Sequence, residues 1–334
     1  MRRGGLLLTG VALALLGAAA AATGLHQALA PSDPDAGELV FTVAPGEPLG
    51  AIARQLEREG LVRSARAVEW IARLRGLDGS LRAGEYALSA AWSPGAILSH
   101  LASGQTVSYP VVLPEGFTAA QIGARLASAG LVEAQAFAEA VRDPELIDSL
   151  GIQADSLEGY LFPDTYFLPR GLAAGELARI LVLPFLAVWR EIEPLAAAQG
   201  LSQHEVVTLA SIVEKETGVA EERQLVAAVF RNRLLRRMRL ESDPTVIYGI
   251  ADFDGNLRRK DLEDEGNRYN TYRIAALPPG PIASPGAASL RAVVTPAKSK
   301  HLYFVARNDG THAFSSTFRE HARAVERYQK KASR

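Results

Sequence analysis

The chain has 334 residues, enough for two or three domains with a sizeable core, and 36 basic against 37 acidic side chains leave a formal net charge of −1. That balance gives no broad electrostatic case for nucleic acid or another strongly anionic partner. Cysteine is absent, which excludes a cysteine nucleophile, thiolate metal sites and disulfides, and permits export without proving it.

In chain order, Arg2 and Arg3 precede an uncharged, mostly apolar run from Gly4 to Ala30, and acids begin at Asp33. The run is long enough to cross a bilayer as a helix, and the leading arginines favour an N-inside orientation. A cleaved signal peptide competes with this reading, because Ala18 to Ala22 supplies small residues suited to processing. The length of the run favours an uncleaved single-pass anchor over residues 1–30, with Pro31 to Gly37 as a polar linker. Residues 31–334 are then expected outside the cytoplasm.

Residues 38–106 read as a small α/β module. Glu38 to Val43 alternates as a strand does, Leu49 to Glu59 and Ala65 to Arg75 have helical spacing, Ala83 to Leu88 is strand-like, and Ser93 opens a helix that ends at Gly104. Over 107–155 a strand at 107–112, a turn at Leu113-Pro-Glu-Gly116 and a helix from Thr118 to Leu131 partly repeat that order and lead to the next region. From residue 156 to 334 helices are expected at 175–198, 203–217, 220–239 and 317–332. A strand pair is expected from Leu302–Ala306 with His312–Ser315, turning at Asn308-Asp309-Gly310. The mixture is α+β rather than a βαβ alternation.

The helix at 203–217 carries the sharpest signal. Ser202 fits its N-cap, Glu205 can close a capping box, Leu201 and Val206 can form a hydrophobic staple, and Gly218 is a plausible stop. On a wheel, Val206, Ala210 and Val213 mark the core stripe, Glu214 falls beside it, and Lys215 points to solvent. A carboxyl at the edge of that stripe is partly desolvated, which favours its holding a proton near neutrality. Glu216 lies near the stripe's other edge, and the wheel alone does not choose between the two.

The surrounding motifs are LEGYLFPDTY at 157–166, ASIVEKET at 210–217, RNRL at 231–234, MRLESDPTVIYG at 238–249, YNTY at 269–272, LPPGPIASPG at 277–286 and LYFVARNDGTHAF at 302–314. In this order and spacing they resemble the MltG (YceG-like) family of endolytic murein transglycosylases, over nearly the whole chain. The resemblance implies a LysM-like region that grips glycan at 38–106 and a catalytic transglycosylase domain at 156–334. It also implies cleavage within peptidoglycan glycan strands, with Glu214 as the catalytic acid. One position departs from the family pattern: Glu241 stands where many members carry Gln. The implied setting is the inner (cytoplasmic) membrane, with a cytoplasmic N-terminus and a periplasmic catalytic domain. The implied partners are glycan strands and peptidoglycan synthases, with no nucleic acid, no cofactor and no metal.

Further candidates for substrate contact are Asp243, Tyr248, Asn270, Tyr272 and Glu158, each with a plainer reading. Asp243 precedes a proline and suits a turn or cap. Tyr248, and with it Tyr269, offers a sugar-stacking face but equally suits the core. Asn270 and Tyr272 belong to YNTY, and Glu158 would form a second wall of the cleft. Asp164 is explained by a turn, and a lone His312 is more often structural. The loop 277–286 is stiffened by four prolines and edges the groove. Arg231, Arg233, Arg236, Arg237 and Arg239 read as the solvated face of a helix whose apolar stripe is Val226, Phe230, Leu234 and Met238. His204-Glu-Val-Val-Thr208 lacks the second histidine of a zinc helix, and no nucleophile elbow or phosphate loop is present. Lys215, facing solvent, lacks the desolvation a Schiff-base lysine needs. Two other readings remain open: a non-catalytic glycan-binding scaffold, and a hydrolase using Glu214 with Asp243.

Overall fold

The computed structural model describes residues 3–330, apart from the side chains of residues 3–14 and 21. Helix α1 runs Arg3–Leu29. Among the described residues no helix is long and apolar enough to cross a membrane. Half of the anchor expected over residues 1–30, namely 1–14 and 21, falls on residues whose side chains lie outside the described set.

The chain divides into two compact units, Met1–Tyr109 with Phe167–Gly171, and Pro110–Tyr166 with Leu172–Arg334. In the first unit β1 (Glu38–Val43) is followed by α2 (Leu49–Arg58), α3 (Ala65–Leu74), β2 (Gly84–Ser89) and α4 (Pro94–Ser103). Strands β1 and β2 are antiparallel, with Phe41 opposite Tyr86, and both rings are fully buried. Ile52, Leu56, Val68, Ile97 and Leu98 close over that face from the three helices. Period-two strands and period-3.6 helices thus pool their apolar faces in one core, as the sequence pattern requires.

Strand β3 (Tyr109–Leu113) pairs with β4 (Asp164–Leu168), and α5 (Ala119–Ser128), α6 (Ala134–Ala140) and α7 (Pro144–Ser149) lie between them in sequence. The second unit continues through α8 (Ala174–Ala197), α9 (Gln203–Glu216), α10 (Arg223–Leu235), α11 (Asp243–Tyr248), α12 (Arg259–Glu263) and α13 (Ala287–Val294). It ends with the antiparallel pair β5 (Tyr303–Ala306) and β6 (His312–Ser315) and then α14 (Phe318–Val325). Helices and short two-stranded pairs make the fold α+β.

Helix α9 is the hub of this unit. It packs against α8, α10, α11 and α13, and every residue from Val206 to Val213 is buried. The expected one-sided stripe is therefore an all-round apolar surface, because neighbours cover the helix on every side. Its start is as the sequence predicts: Ser202 Oγ accepts from the Glu205 amide at 3.2 Å, while Glu205 Oε2 accepts from the Ser202 amide at 2.8 Å. The cap residue at its end is Thr217, one position before the expected glycine.

Two helices differ from expectation. The segment foreseen as one helix over 220–239 opens with a 3₁₀ turn, Ala220–Glu222, and its α-helix ends at Leu235; beyond it Arg237 has a φ of 53°. Asp243, expected as a turn or cap residue, lies in the first turn of α11, one position after the Ser242 cap.

The loop 277–286 is fastened across the unit, and Gly159 makes room for it. A Cβ at Gly159 would lie 2.4 Å from Pro281 Cβ, and its φ of +84° is one that L side chains avoid. Gly159→Ala is expected to destabilise the protein by about 1–3 kcal/mol, read as a lowered denaturant midpoint. An unchanged midpoint would show that the contact relaxes freely.

Candidate active site

Four segments meet at the C-terminal end of α9, and short hydrogen bonds join them. Ser211 Oγ donates to the Thr208 carbonyl at 2.7 Å and accepts from the Ile282 amide at 3.0 Å, which fixes the loop to the helix. Two residues on, the Ser284 amide donates to the Phe117 carbonyl at 2.8 Å and the Gly116 amide donates to the Ser284 carbonyl at 2.9 Å. The turn 113–118 and the loop 281–286 therefore run side by side. Lys215 Nζ adds a hydrogen bond to the Gly116 carbonyl at 3.3 Å.

Glu214 sits where they converge. Its side chain is only 6% exposed, Oε2 accepts from the Gly286 amide at 3.0 Å, and Oε1 lies 3.6 Å from Arg223 Nη2. That same guanidinium nitrogen donates to Glu115 Oε2 at 3.3 Å, and Glu115 is 46% exposed. One arginine thus bridges two carboxyls, one almost enclosed and one open to solvent. Burial pushes the Glu115 carboxyl above its ordinary range. The charge of Glu214, and the hydrogen bond that protonated Glu115 donates to it, act in the same direction; Arg223 opposes them.

A second cluster surrounds Glu158, which is buried at the N-terminus of α5. Its oxygens accept from the Ala119 amide at 3.0 and 3.2 Å and from Tyr248 Oη at 3.2 Å. These donors favour the carboxylate, yet burial outweighs them and lifts its pKa to about 7. Tyr248 in turn packs edge-on against Tyr269, with ring centroids 4.7 Å apart. Glu158, Tyr269 and His204 help to line a cavity of about 350 Å³, closed on one side by Pro279 to Pro281, and Glu214 is not among its lining residues. His204 is held in place by Tyr160 Oη at 3.0 Å from Nδ1 and by the Pro279 carbonyl at 2.9 Å from Nε2.

The third cluster lies around Glu216. Ser242 Oγ donates to Glu216, and Tyr272 Oη donates to Asp243 Oδ1 at 2.6 Å. Burial raises Glu216 to about 6; the Ser242 hydrogen bond opposes it, and the charge of Asp243 adds to it. Among the described residues no group of His, Asp and Glu could hold a metal ion.

The sequence profile of the YceG-like family matches residues 41–327. The chain belongs to the YceG-like family. A relative from Bacillus subtilis (strain 168), named endolytic murein transglycosylase, is 30% identical over 304 residues, covering 86% of this chain and 84% of its own length. A relative of the same name from Streptococcus pneumoniae serotype 2 (strain D39 / NCTC 7466) is 29% identical over 332 residues, and the match covers 89% of this chain and 60% of the relative. The crystal structure of the yceG-like protein lmo1499 from Listeria monocytogenes matches with a TM-score of 0.59 at 31% identity, covering 86% of this chain and 99% of that one. The resemblance carried by the ordered motifs is borne out.

Within this YceG-like chain the sequence-derived candidates fall into separate groups. Glu158 touches Tyr248, Asp243 touches Tyr272, and Glu214 bonds to none of them directly. Asn270 is fully buried. Its Nδ2 donates to the carbonyls of Asp261, Leu262 and Asp264, and its Oδ1 accepts from the Tyr272 amide, so the chain itself consumes its amide. It holds the YNTY turn in shape. Of the arginines expected on a solvated face, one is buried and another half-buried. Arg233 is buried and donates to the carbonyls of Leu302, Arg239 and Leu240, and Arg231 bonds to Gln199. Orphan carbonyls beyond α10 draw Arg233 in. His312 is structural, paired with Glu222 Oε2 at 2.6 Å.

Glu115 and Arg223 were not singled out from the sequence. Glu115 reads there as part of a turn, and Arg223 as one of many helix arginines; only their convergence on Glu214 distinguishes them.

Glu158 and Glu216 keep protons in the folded state that the unfolded chain, near the ordinary value of 4.5, has already released. Stability therefore falls as pH rises from about 4.5 towards 7. Glu158→Gln is expected to flatten this decline, seen as a smaller drop in melting temperature across that range. An unaltered slope would mean that Glu158 titrates normally.

Proposed function

We propose that this protein is an endolytic peptidoglycan lytic transglycosylase with Glu214 as its catalytic acid. The observation that carries the reading is Glu214 itself. It is a nearly enclosed carboxyl in the last turn of the central helix, fixed by the Gly286 amide and Arg223 and lying within the ordered motifs of the family. Relatives named endolytic murein transglycosylase support the reaction class.

In this mechanism protonated Glu214 donates its proton to the glycosidic oxygen that links C1 of N-acetylmuramic acid to N-acetylglucosamine, and the C1–O bond breaks. The carboxylate then takes the proton of the same sugar's C6 hydroxyl as O6 bonds to C1. The product is a 1,6-anhydro end, Glu214 is again protonated, and no water, metal or cofactor is consumed. A single carboxyl serves as acid and then base.

The wider setting belongs to the same proposal. The N-terminal apolar run is a single-pass anchor in the inner membrane, with the N-terminus cytoplasmic and the remainder periplasmic. The module at 38–106 is LysM-like and grips glycan. Cleavage trims or terminates nascent strands beside peptidoglycan synthases. Asp243, Tyr272, Tyr248 and Glu158 contact or border the bound strand.

Glu214→Gln is expected to lower turnover by about 10²–10⁴-fold while leaving the melting temperature near that of the wild type. Mass spectrometry of glycan ends after digestion of purified peptidoglycan by the full chain reads the chemistry. Anhydro-muramoyl ends made by the wild type alone support the proposal. Reducing ends would indicate a hydrolase, and the absence of new ends would indicate a scaffold.

A further inference from the structure

The site holds one carboxyl more than the proposed reaction consumes. Glu115 is placed at Glu214 by three independent features. The turn that carries it is locked to the loop by the Gly116–Ser284 and Ser284–Phe117 backbone hydrogen bonds. Arg223 Nη2 lies 3.3 Å from Glu115 and 3.6 Å from Glu214, and so holds both in one field. Gly286 leaves the space that Glu115 fills: a Cβ there would stand 1.8 Å from Glu115 Oε1 and 2.4 Å from its carboxyl carbon.

We propose that Glu115 and Glu214 form a carboxyl pair that shares one proton under Arg223, with Glu115 as the positioning residue that keeps Glu214 supplied with the proton it donates. The inference rests on Glu214 being the catalytic acid. Two like charges held against the same guanidinium nitrogen repel each other, and Glu214 is nearly enclosed, so one proton stays on the pair. The raised pKa of Glu115 agrees in direction. The other charged group facing the pair is Lys215, whose Nζ bonds the Gly116 carbonyl. Glu158 and Glu216 are engaged elsewhere, with Ala119 and Tyr248 and with Ser242 respectively.

The proton inventory closes through the cycle. Glu214 gives its proton to the leaving oxygen. Its departure leaves both carboxylates facing Arg223 while positive charge develops at C1, and the C6 hydroxyl proton then returns to Glu214. Glu115 gains and loses nothing overall. What it changes is the pH at which the pair loses its last proton, since that loss creates the second negative charge and is deferred to higher pH.

The test is the pH–rate profile of the full chain on purified peptidoglycan, read as anhydro ends per unit time. Wild type, Glu115→Gln, Gly286→Ala and Glu214→Gln are compared within the pH range where each remains folded by circular dichroism. Glu115→Gln removes the like charge while preserving shape. Its alkaline limb is expected to move down by about one pH unit or more. Gly286→Ala, which keeps both carboxyls but forces Glu115 aside, is expected to move the limb in the same direction. If either variant merely scales the rate down with the limb in place, Glu115 is structural and the pair is overturned. Glu214→Gln separates the two claims. Full activity in that variant would remove the underlying site assignment, whereas a dead Glu214→Gln beside an unshifted Glu115→Gln removes only the proton-sharing pair.

Discussion

A helix covered on all sides can offer a charged group only at its ends. Helix α9 is enclosed by α8, α10, α11 and α13, and from Val206 to Val213 every residue is buried. Two of its three acids, Glu214 and Glu216, come in the last turn, where the negative end of the helix works against a carboxylate. Each therefore needs donors supplied from outside the helix. Glu214 receives the Gly286 amide and Arg223, and Glu216 receives Ser242. The remainder of the unit is arranged so that those donors arrive.

The loop 277–286 is the device that brings them. Its prolines limit the backbone freedom it loses on ordering, and Ser211, Gly116 and Phe117 fasten it at Ile282 and Ser284. Gly159 and Gly286 give it room, the first against Pro281 and the second beside Glu115. The same turn that carries Glu115 leads into α5, whose first amide binds Glu158. The enclosed acid and the 350 Å³ cavity thus share one structural seam, although their side chains do not touch.

Local rules made much of this legible from sequence. The Ser202–Glu205 capping box, the Thr118 cap and the β5–β6 hairpin depend on neighbours in the chain, and they form where the spacing puts them. Glu214 stood out because a carboxyl beside an apolar stripe is costly, and the ordered motifs then favoured it over Glu216. What stayed hidden depends on contacts distant in sequence. Glu115 and Glu214 are brought together by folding alone, and so are Arg223 and both carboxyls. Arg233 looked like solvated surface because its position on the wheel does not reveal the carbonyls of Leu240 and Leu302 waiting nearby. Asn270 looked like a ligand contact because a motif asparagine and a turn-holding asparagine read the same until its partners are seen.

The central claim is that chemistry occurs at the Glu115–Glu214–Arg223 centre. The most direct measurement is a crystal structure of the Glu214→Gln protein with a bound glycan strand. The account predicts a glycosidic oxygen within hydrogen-bond reach of the residue-214 amide, with the muramoyl C6 hydroxyl on the same side. A strand seated in the Glu158–His204 cavity, with no sugar near residue 214 or Glu115, would contradict it.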